Sequence, residues 1–408
     1  MKKKITFALL SVLTMANLAA QNNSETQRML DRYLSYVKIE AQSTYPDDPP
    51  QEFPINEGQK QMAQHIYEEV KSFGKGVEVQ MSPDFYLYIK VPSNIRRRVP
   101  SICLMAHLDV SPEVQGVGVK PQVICNYDGE IIPLGTSGRV LSPDSVQGVH
   151  LKDVIGHTIV TSDGTTNTGA DDKTGCAILV SLVDELTHNK NIKHGDVYIC
   201  LTQNEDVGLA AYRINLGYFD KRPDILIDVD GGNVGRFSSS NFSAIGRTYL
   251  FHGNQRHPSY GKENGLVDAQ TAMSYFIGQL PPDVNPMFSS DRQGYLQAYI
   301  IEDLHNGDFR VKFRMRYFDK ADSIRYATYL ADAEKRTLEA FPGLEIVLEA
   351  NYLQYDNVAY SMHPQTIPVI NRAAEKSGMK LEPEELRAGT TGGMKLRSEE
   401  RFSRNAET

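Results

Sequence analysis

The sequence predicts a doubly covered, mixed α/β sheet with a smaller α+β domain inserted into it, and three observations carry that prediction. Short apolar runs alternate with stretches of helical periodicity up to about residue 241. From residue 242 the texture changes to strands that alternate apolar with polar side chains. A chain of 408 residues with 40% hydrophobic content can bury more than one core. The reading assigns residues 1–20 to a signal peptide, 21–241 and 354–395 to the main domain, 242–353 to the insertion and 396–408 to a polar tail.

At the N-terminus Lys2, Lys3 and Lys4 precede an apolar run over 5–13, and Ala19-Ala20 stand before a polar stretch. That is the pattern of a cleaved bacterial leader, and the run is well short of the roughly 20 residues a spanning helix needs. The expectation is a periplasmic or secreted protein with no membrane span after cleavage. Ser24-x-x-Gln27 resembles a capping box, and Met29, Tyr33, Tyr36 and Val37 continue it at helical spacing. A second helix carries Met62, Ile66 and Val70 on one face and ends near Gly74. Residues 85–91, 101–106, 197–202 and 225–229 read as strands, with a helix over 177–186. In the insertion, 295–302, 309–318 and 344–348 alternate as half-exposed strands, and 268–280 and 323–340 are helical. The helix after Pro364 belongs to the returning main domain.

A net charge of −8 with dispersed Lys and Arg gives no footprint for nucleic acid. Cys103, Cys125, Cys176 and Cys200 show no close paired spacing, and three sit in apolar runs. Buried thiols are expected rather than disulfides or a structural zinc site.

The chemistry lies in four short clusters, each following an apolar run. His107-Leu-Asp109 ends a strand, and the i, i+2 spacing turns both side chains the same way, where a carboxylate can orient a metal-binding imidazole. Asp171-Asp172 follows a glycine-containing loop and precedes a helix beginning near Lys173; one carboxylate there can bridge two cations while its neighbour caps the helix. Glu205 and Asp206 leave a strand side by side, so that one can bind metal and the other act as a base. Asp228-Val-Asp230 ends an apolar strand before Gly231-Gly232. Each cluster taken alone is equally a solvated strand end or an acidic turn.

Taken in order, "AHLDV", "TGADDKTG", "NEDVG" and "DVDGG" resemble the peptidase T family of di-zinc tripeptide aminopeptidases, from the first helix to about Met394. The resemblance implies a zinc-peptidase core with a lid or dimerisation domain, short peptides as substrates, two zinc ions per chain and a homodimer through the insertion. It also implies roles. His107, Asp171 and Asp230 would hold the first zinc, and Asp171 and Asp206 the second, with Asp206 standing where the family has a longer glutamate. Asp109 would orient His107, and Glu205 would be the general base. Asp171 would be joined to Asp172 through a cis peptide. His257 in the lid-like segment would polarise the scissile carbonyl, and Arg316 in "RMRYFD" would hold the substrate carboxylate. His257 reads equally as a surface loop histidine, and Arg316 equally as a structural ion pair. Gly389 and Thr390 fall in "RAGTTGGMK", which resembles a glycine-rich substrate loop.

The family continues from that loop to a final zinc histidine, whereas the last histidine here is His363, at a helix start. The expectation is a second zinc site one histidine short, with weak or absent activity. Two rival functions use the same residues: a related di-zinc deacylase or carboxypeptidase, and a secreted peptide-binding protein without turnover.

Overall fold

The computed structural model describes residues 24–44, 55–145, 148–210, 213–230, 235–360 and 362–386. The expected leader, Gly389, Thr390 and the polar tail lie outside those residues. Two compact units are formed, the first mainly from Met1–Gly231 and the second mainly from Gly232–Thr390.

In the first unit α1 (24–36) and α2 (Glu57–Ser72) precede strands β1 (Glu78–Met81), β2 (Leu87–Val91) and β3 (Ile102–His107). Four short strands follow as two hairpin-like pairs: β4 (Gln122–Ile124) with β7 (Ile159–Thr161), and β5 (Ile132–Leu134) with β6 (Arg139–Leu141). Helix α3 (Ala170–His188) leads to β8 (Val197–Thr202) and β9 (Ile225–Asp228). The five-stranded sheet has the order β1-β2-β8-β3-β9. β3 runs parallel to both β8 and β9, while β2 and β1 are antiparallel additions at the edge. The sheet is therefore mixed, as expected.

Alternation decides what each face buries. Leu87, Ile89, Ile199 and Leu201 join Met62, Ile66 and Val70 of α2 and Val180 and Val183 of α3 in one core. The alternate residues Tyr88 and Tyr198 turn the other way, against Tyr218 and Phe219. Burial on both faces explains why these strands read as continuous apolar runs. Cys103, Cys176 and Cys200 are buried and unpaired, and Cys125 is exposed and unpaired.

The second unit begins with β10 (Arg236–Asn241) and β11 (Ser243–His252). Then come α4 (Ala269–Gly278), β12 (Tyr295–Asp303), β13 (Phe309–Tyr317), α5 (Lys320–Ala340) and β14 (Glu345–Tyr355). Its four-stranded antiparallel sheet has the order β12-β13-β11-β14. Tyr249, Phe251, Val311 and Phe313 pack against Phe276 of α4 and Tyr326 and Leu330 of α5. The central strand β11 was not among the expected strands, because Ala244, Gly246 and Arg247 break the apolar alternation. Helix α6 (Thr366–Lys376) precedes β15 (Glu382–Leu386), which pairs in parallel with β10. The returning segment thus runs beside β10 within the second unit.

One polar fastening joins the helices of the first unit. From α1, Arg32 donates to Glu69 of α2 at 2.6 Å and, from its other nitrogens, to Ser181 at 3.0 Å and Asp184 at 2.5 Å on α3. Its side chain is only 12% exposed. Replacing it leaves Glu69 to the Tyr36 hydroxyl and Asp184 to His188, so Arg32→Ala is expected to lower stability by about 2 kcal/mol, measured by urea unfolding. A change below about 0.5 kcal/mol would show that the helices dock without it.

Candidate metal and catalytic centre

The site assembles at the C-terminal ends of β3, β8 and β9, where parallel strands leave a crevice for ligands. His107 closes β3 and is buried. Its Nδ1 lies 3.1 Å from the carbonyl oxygen of Asp109 and 3.5 Å from that residue's Oδ1. Nδ1–H directed at Asp109 leaves Nε2 for the opposite side. There Nε2 is 2.9 Å from Asp171 Oδ1 and 3.9 Å from Asp230 Oδ2.

Asp109 is buried and does more than orient the imidazole. Its Oδ1 accepts the backbone N–H of Glu205 at 3.1 Å, and its Oδ2 that of Asp206 at 3.3 Å. A single carboxylate from the end of β3 therefore fixes the turn that leaves β8. The same turn is held from behind. Asn204 adopts φ 58°, a left-handed conformation that asparagine tolerates better than most residues. Its Oδ1 accepts from Gln59 Nε2 at 2.6 Å, and both residues are buried.

Asp171 and Asp172 divide the two roles expected of their cluster. Asp172 Oδ1 accepts from Gly175 N at 3.1 Å, capping the regular part of α3, and its Oδ2 accepts from His107 N at 3.2 Å. Both residues have non-helical backbone angles, and the peptide between them is cis. Asp171 is left facing His107, with its side chain 71% exposed.

Crowding and partial burial of these carboxylates shift their proton affinities. Burial pushes the Glu205 carboxyl well above its usual range, opposed by His107 and assisted by Asp230 and Asp109. Burial likewise raises Asp206 to about 7 and Asp172 to about 8, and it raises Asp230. Asp171 moves the other way, because its hydrogen bond to His107 outweighs burial. For His107, burial disfavours the charged ring, yet Asp109 and Asp171 prevail and raise its pKa well above the usual value.

Such a set calls for a cation. Ligand atoms of His107, Glu205 and Asp230 lie within 4.8 Å of one another, as do those of His107, Asp109 and Asp206. Among the described residues, Asp206 Oδ2 is buried without a hydrogen-bond partner, a costly arrangement that a metal ion would relieve. The residues present thus fit a metal centre.

Other expected residues stand in the second unit. Arg316 lies on β13, and His257 is exposed at the start of a short turn, its Nδ1 accepting from Ser259 N at 3.3 Å. Gln59 and Asn204 were not anticipated from the sequence. The legible signal was Asn56-x-x-Gln59, a capping box that forms here and places the Gln59 amide. Asp109→Asn removes the charge that orients His107 and weakens the anchor of the 205–206 turn. It is expected to lower divalent-metal affinity about 10–100-fold, read by competition with a chromophoric chelator; unchanged affinity would deny Asp109 that part.

Known proteins bear on this geometry. A family model described as M42 glutamyl aminopeptidase matches residues 150–246. The peptidase T of Shewanella pealeana is 33% identical over 370 residues, covering 90% of this chain and 87% of that protein. Among solved structures, the aminopeptidase PepT of Bacillus cereus has a TM-score of 0.65 at 18% identity, covering 91% of this chain and 87% of the other. A tripeptidase of Staphylococcus aureus has a TM-score of 0.66 at 17% identity, with 92% and 87% covered. The two structures share the fold, the mixed-sheet peptidase core with its second α+β unit. The sequence match reaches further: the chain belongs to the peptidase T family, and it is a peptidase.

Proposed function

We propose that this protein is a zinc-dependent aminopeptidase that releases the N-terminal residue of short peptides, tripeptides above all. The observation that carries the reading is the His107 imidazole, held by Asp109 on one side and offering Nε2 to Asp171 and Asp230 on the other. On this reading His107, Asp171 and Asp230 would hold one ion, and Asp171 with Asp206 would hold a second. When bound, zinc supplies Lewis-acid polarisation of a carbonyl and makes water more acidic.

The chain's own residues do the rest. Glu205 takes a proton from the attacking water and returns it to the leaving amine, a role that suits a half-buried carboxylate with raised proton affinity. Its reach is set by the backbone N–H bond to Asp109. His257 is assigned to the scissile carbonyl, Arg316 to the peptide's terminal carboxylate, and Gly389 and Thr390 to its backbone. The leader over 1–20 is assigned to export, in which case the mature protein begins at Gln21.

Three peptides test the activity: Leu-Gly-Gly, its N-acetylated form and its C-terminal amide. Release of leucine from the free-amine peptide, and none from the acetylated one, is expected; release of acetate from the acetylated peptide would make the protein a deacylase, and release of the C-terminal glycine a carboxypeptidase. Glu205→Gln is expected to lower kcat by about 10²–10⁴-fold while the metal content stays that of the unaltered protein. Retained turnover would remove Glu205 from the reaction. Recovery of the chain from the bacterial cytoplasm, still beginning at Met1, would contradict the export assignment.

A further inference from the structure

Strands β1, β3, β8 and β9 run in one direction, since β3 is parallel to β8 and β9, and β2 is antiparallel to both β8 and β1. The loops that enter these four strands therefore gather at one edge of the sheet, the edge opposite the crevice. That edge is basic. Lys75 stands before β1, Arg96, Arg97 and Arg98 before β3, and Lys190 and Lys193 before β8, all six exposed.

Hydrogen bonds knit the loops into one surface. Asn94 Nδ2 donates to the Ile192 carbonyl at 2.6 Å, and Asn94 Oδ1 accepts from His194 N at 3.1 Å. Gly195 lies so close to Val99 that an added Cβ would come within 2.5 Å of it, and a Cβ at Gly76 would lie 3.7 Å from Lys190 Nζ. The acids of these loops are already engaged. Asp196 accepts from Ser93 N at 2.8 Å and pairs with Lys221. Asp220 holds Lys90 and the Tyr198 hydroxyl, each at 2.6 Å, and Asp224 accepts from Ser101 N at 2.8 Å. Lys75, Arg96, Arg97, Arg98, Lys190 and Lys193, by contrast, form no ion pair among the described residues. Lys190 and Lys193 donate to backbone carbonyls, which leaves their charge uncancelled. A chain with a net charge of −8 thus concentrates unpaired cations at one end of one sheet. Apolar side chains stand among them: Ile192 is 36% exposed between Lys190 and Lys193, and Ile95 is half-buried beside Arg96.

We propose that this edge docks on an anionic phospholipid bilayer, with the six cations against headgroup phosphates and Ile192 entering the interface. A bilayer accounts for both features, because basic side chains are attracted to an anionic leaflet and an exposed apolar one gains by leaving water at the headgroup boundary. A single-stranded nucleic acid would call for rings that stack on its bases. Residues 74–77, 92–101 and 189–196 contain no Phe, Tyr or Trp. Docking in this way turns the crevice away from the lipid, since His107 closes β3 at its far end, roughly 17–20 Å from the basic loops.

The experiment is co-sedimentation of the full-length protein with vesicles of phosphatidylcholine alone, and of phosphatidylcholine and phosphatidylglycerol in equal parts. Binding to the mixed vesicles and not to the neutral ones is expected, weakening as salt rises. Replacing Arg96, Arg97 and Arg98 together by Ser is expected to lower the partition coefficient about 100-fold. The N-terminal segment is the same in both chains, so its own contribution cancels from that ratio, and thermal unfolding verifies that the variant is folded. Ile192→Ser is expected to weaken vesicle binding about threefold. Equal partition into both vesicle types, or undiminished binding of the triple variant, overturns the proposal. Binding of a single-stranded oligonucleotide at a salt concentration where the mixed vesicles are not bound also overturns it, and makes the edge a nucleic-acid surface.

Discussion

The Asp109 carboxylate is the constraint on which the centre depends. It sits two residues beyond the end of β3, accepts the N–H groups of Glu205 and Asp206, and lies beside the Nδ1 of His107. One buried anion therefore links the orientation of the imidazole to the position of both carboxylates that leave β8. Burying an isolated charge is costly, and the backbone donors together with the imidazole make this one tolerable. Gln59, reaching from the first turn of α2 to Asn204, fixes the same turn from the opposite side.

Around that anchor the crevice concentrates negative charge that the protein alone does not neutralise. Glu205, Asp206 and Asp230 are all driven toward their protonated forms by burial, with mutual repulsion adding to the shift. The orphaned Oδ2 of Asp206 is the local sign of this imbalance. A fold stabilised only for its own sake would place apolar groups there; a peptidase needs the imbalance, because it is what draws cations and leaves a carboxylate able to take up a proton. The second unit shows the opposite polarity. Along β13, glutamates cancel the first two basic residues and leave Arg314 and Arg316 to their tyrosine partners.

Much of this was legible in the residues themselves. The buried strands announced themselves as apolar runs because both faces are covered, and β8 falls on residues 197–202 as expected. The acidic clusters stood out because each ends such a run, and His107, Asp109, Asp171, Glu205, Asp206 and Asp230 do meet in one crevice. What stayed hidden had weak periodicity. β4 to β7 are three residues each, too short for alternation to register. β11 is interrupted by Gly246, a position where the Tyr352 ring takes the space of a side chain.

By itself, then, the sequence determined which residues could end strands as acids, which runs had to be buried, and to which family the order of its motifs points. Only the tertiary structure decided how Asp171 and Asp172 divide their work, and that Asp109 serves the 205–206 turn as well as His107. The physical reason is the range of the interactions. Helical and strand periodicity is a local property, written within a few residues. A hydrogen bond from the Glu205 N–H to Asp109 depends on register between segments far apart in the chain, and only the packed sheets specify it.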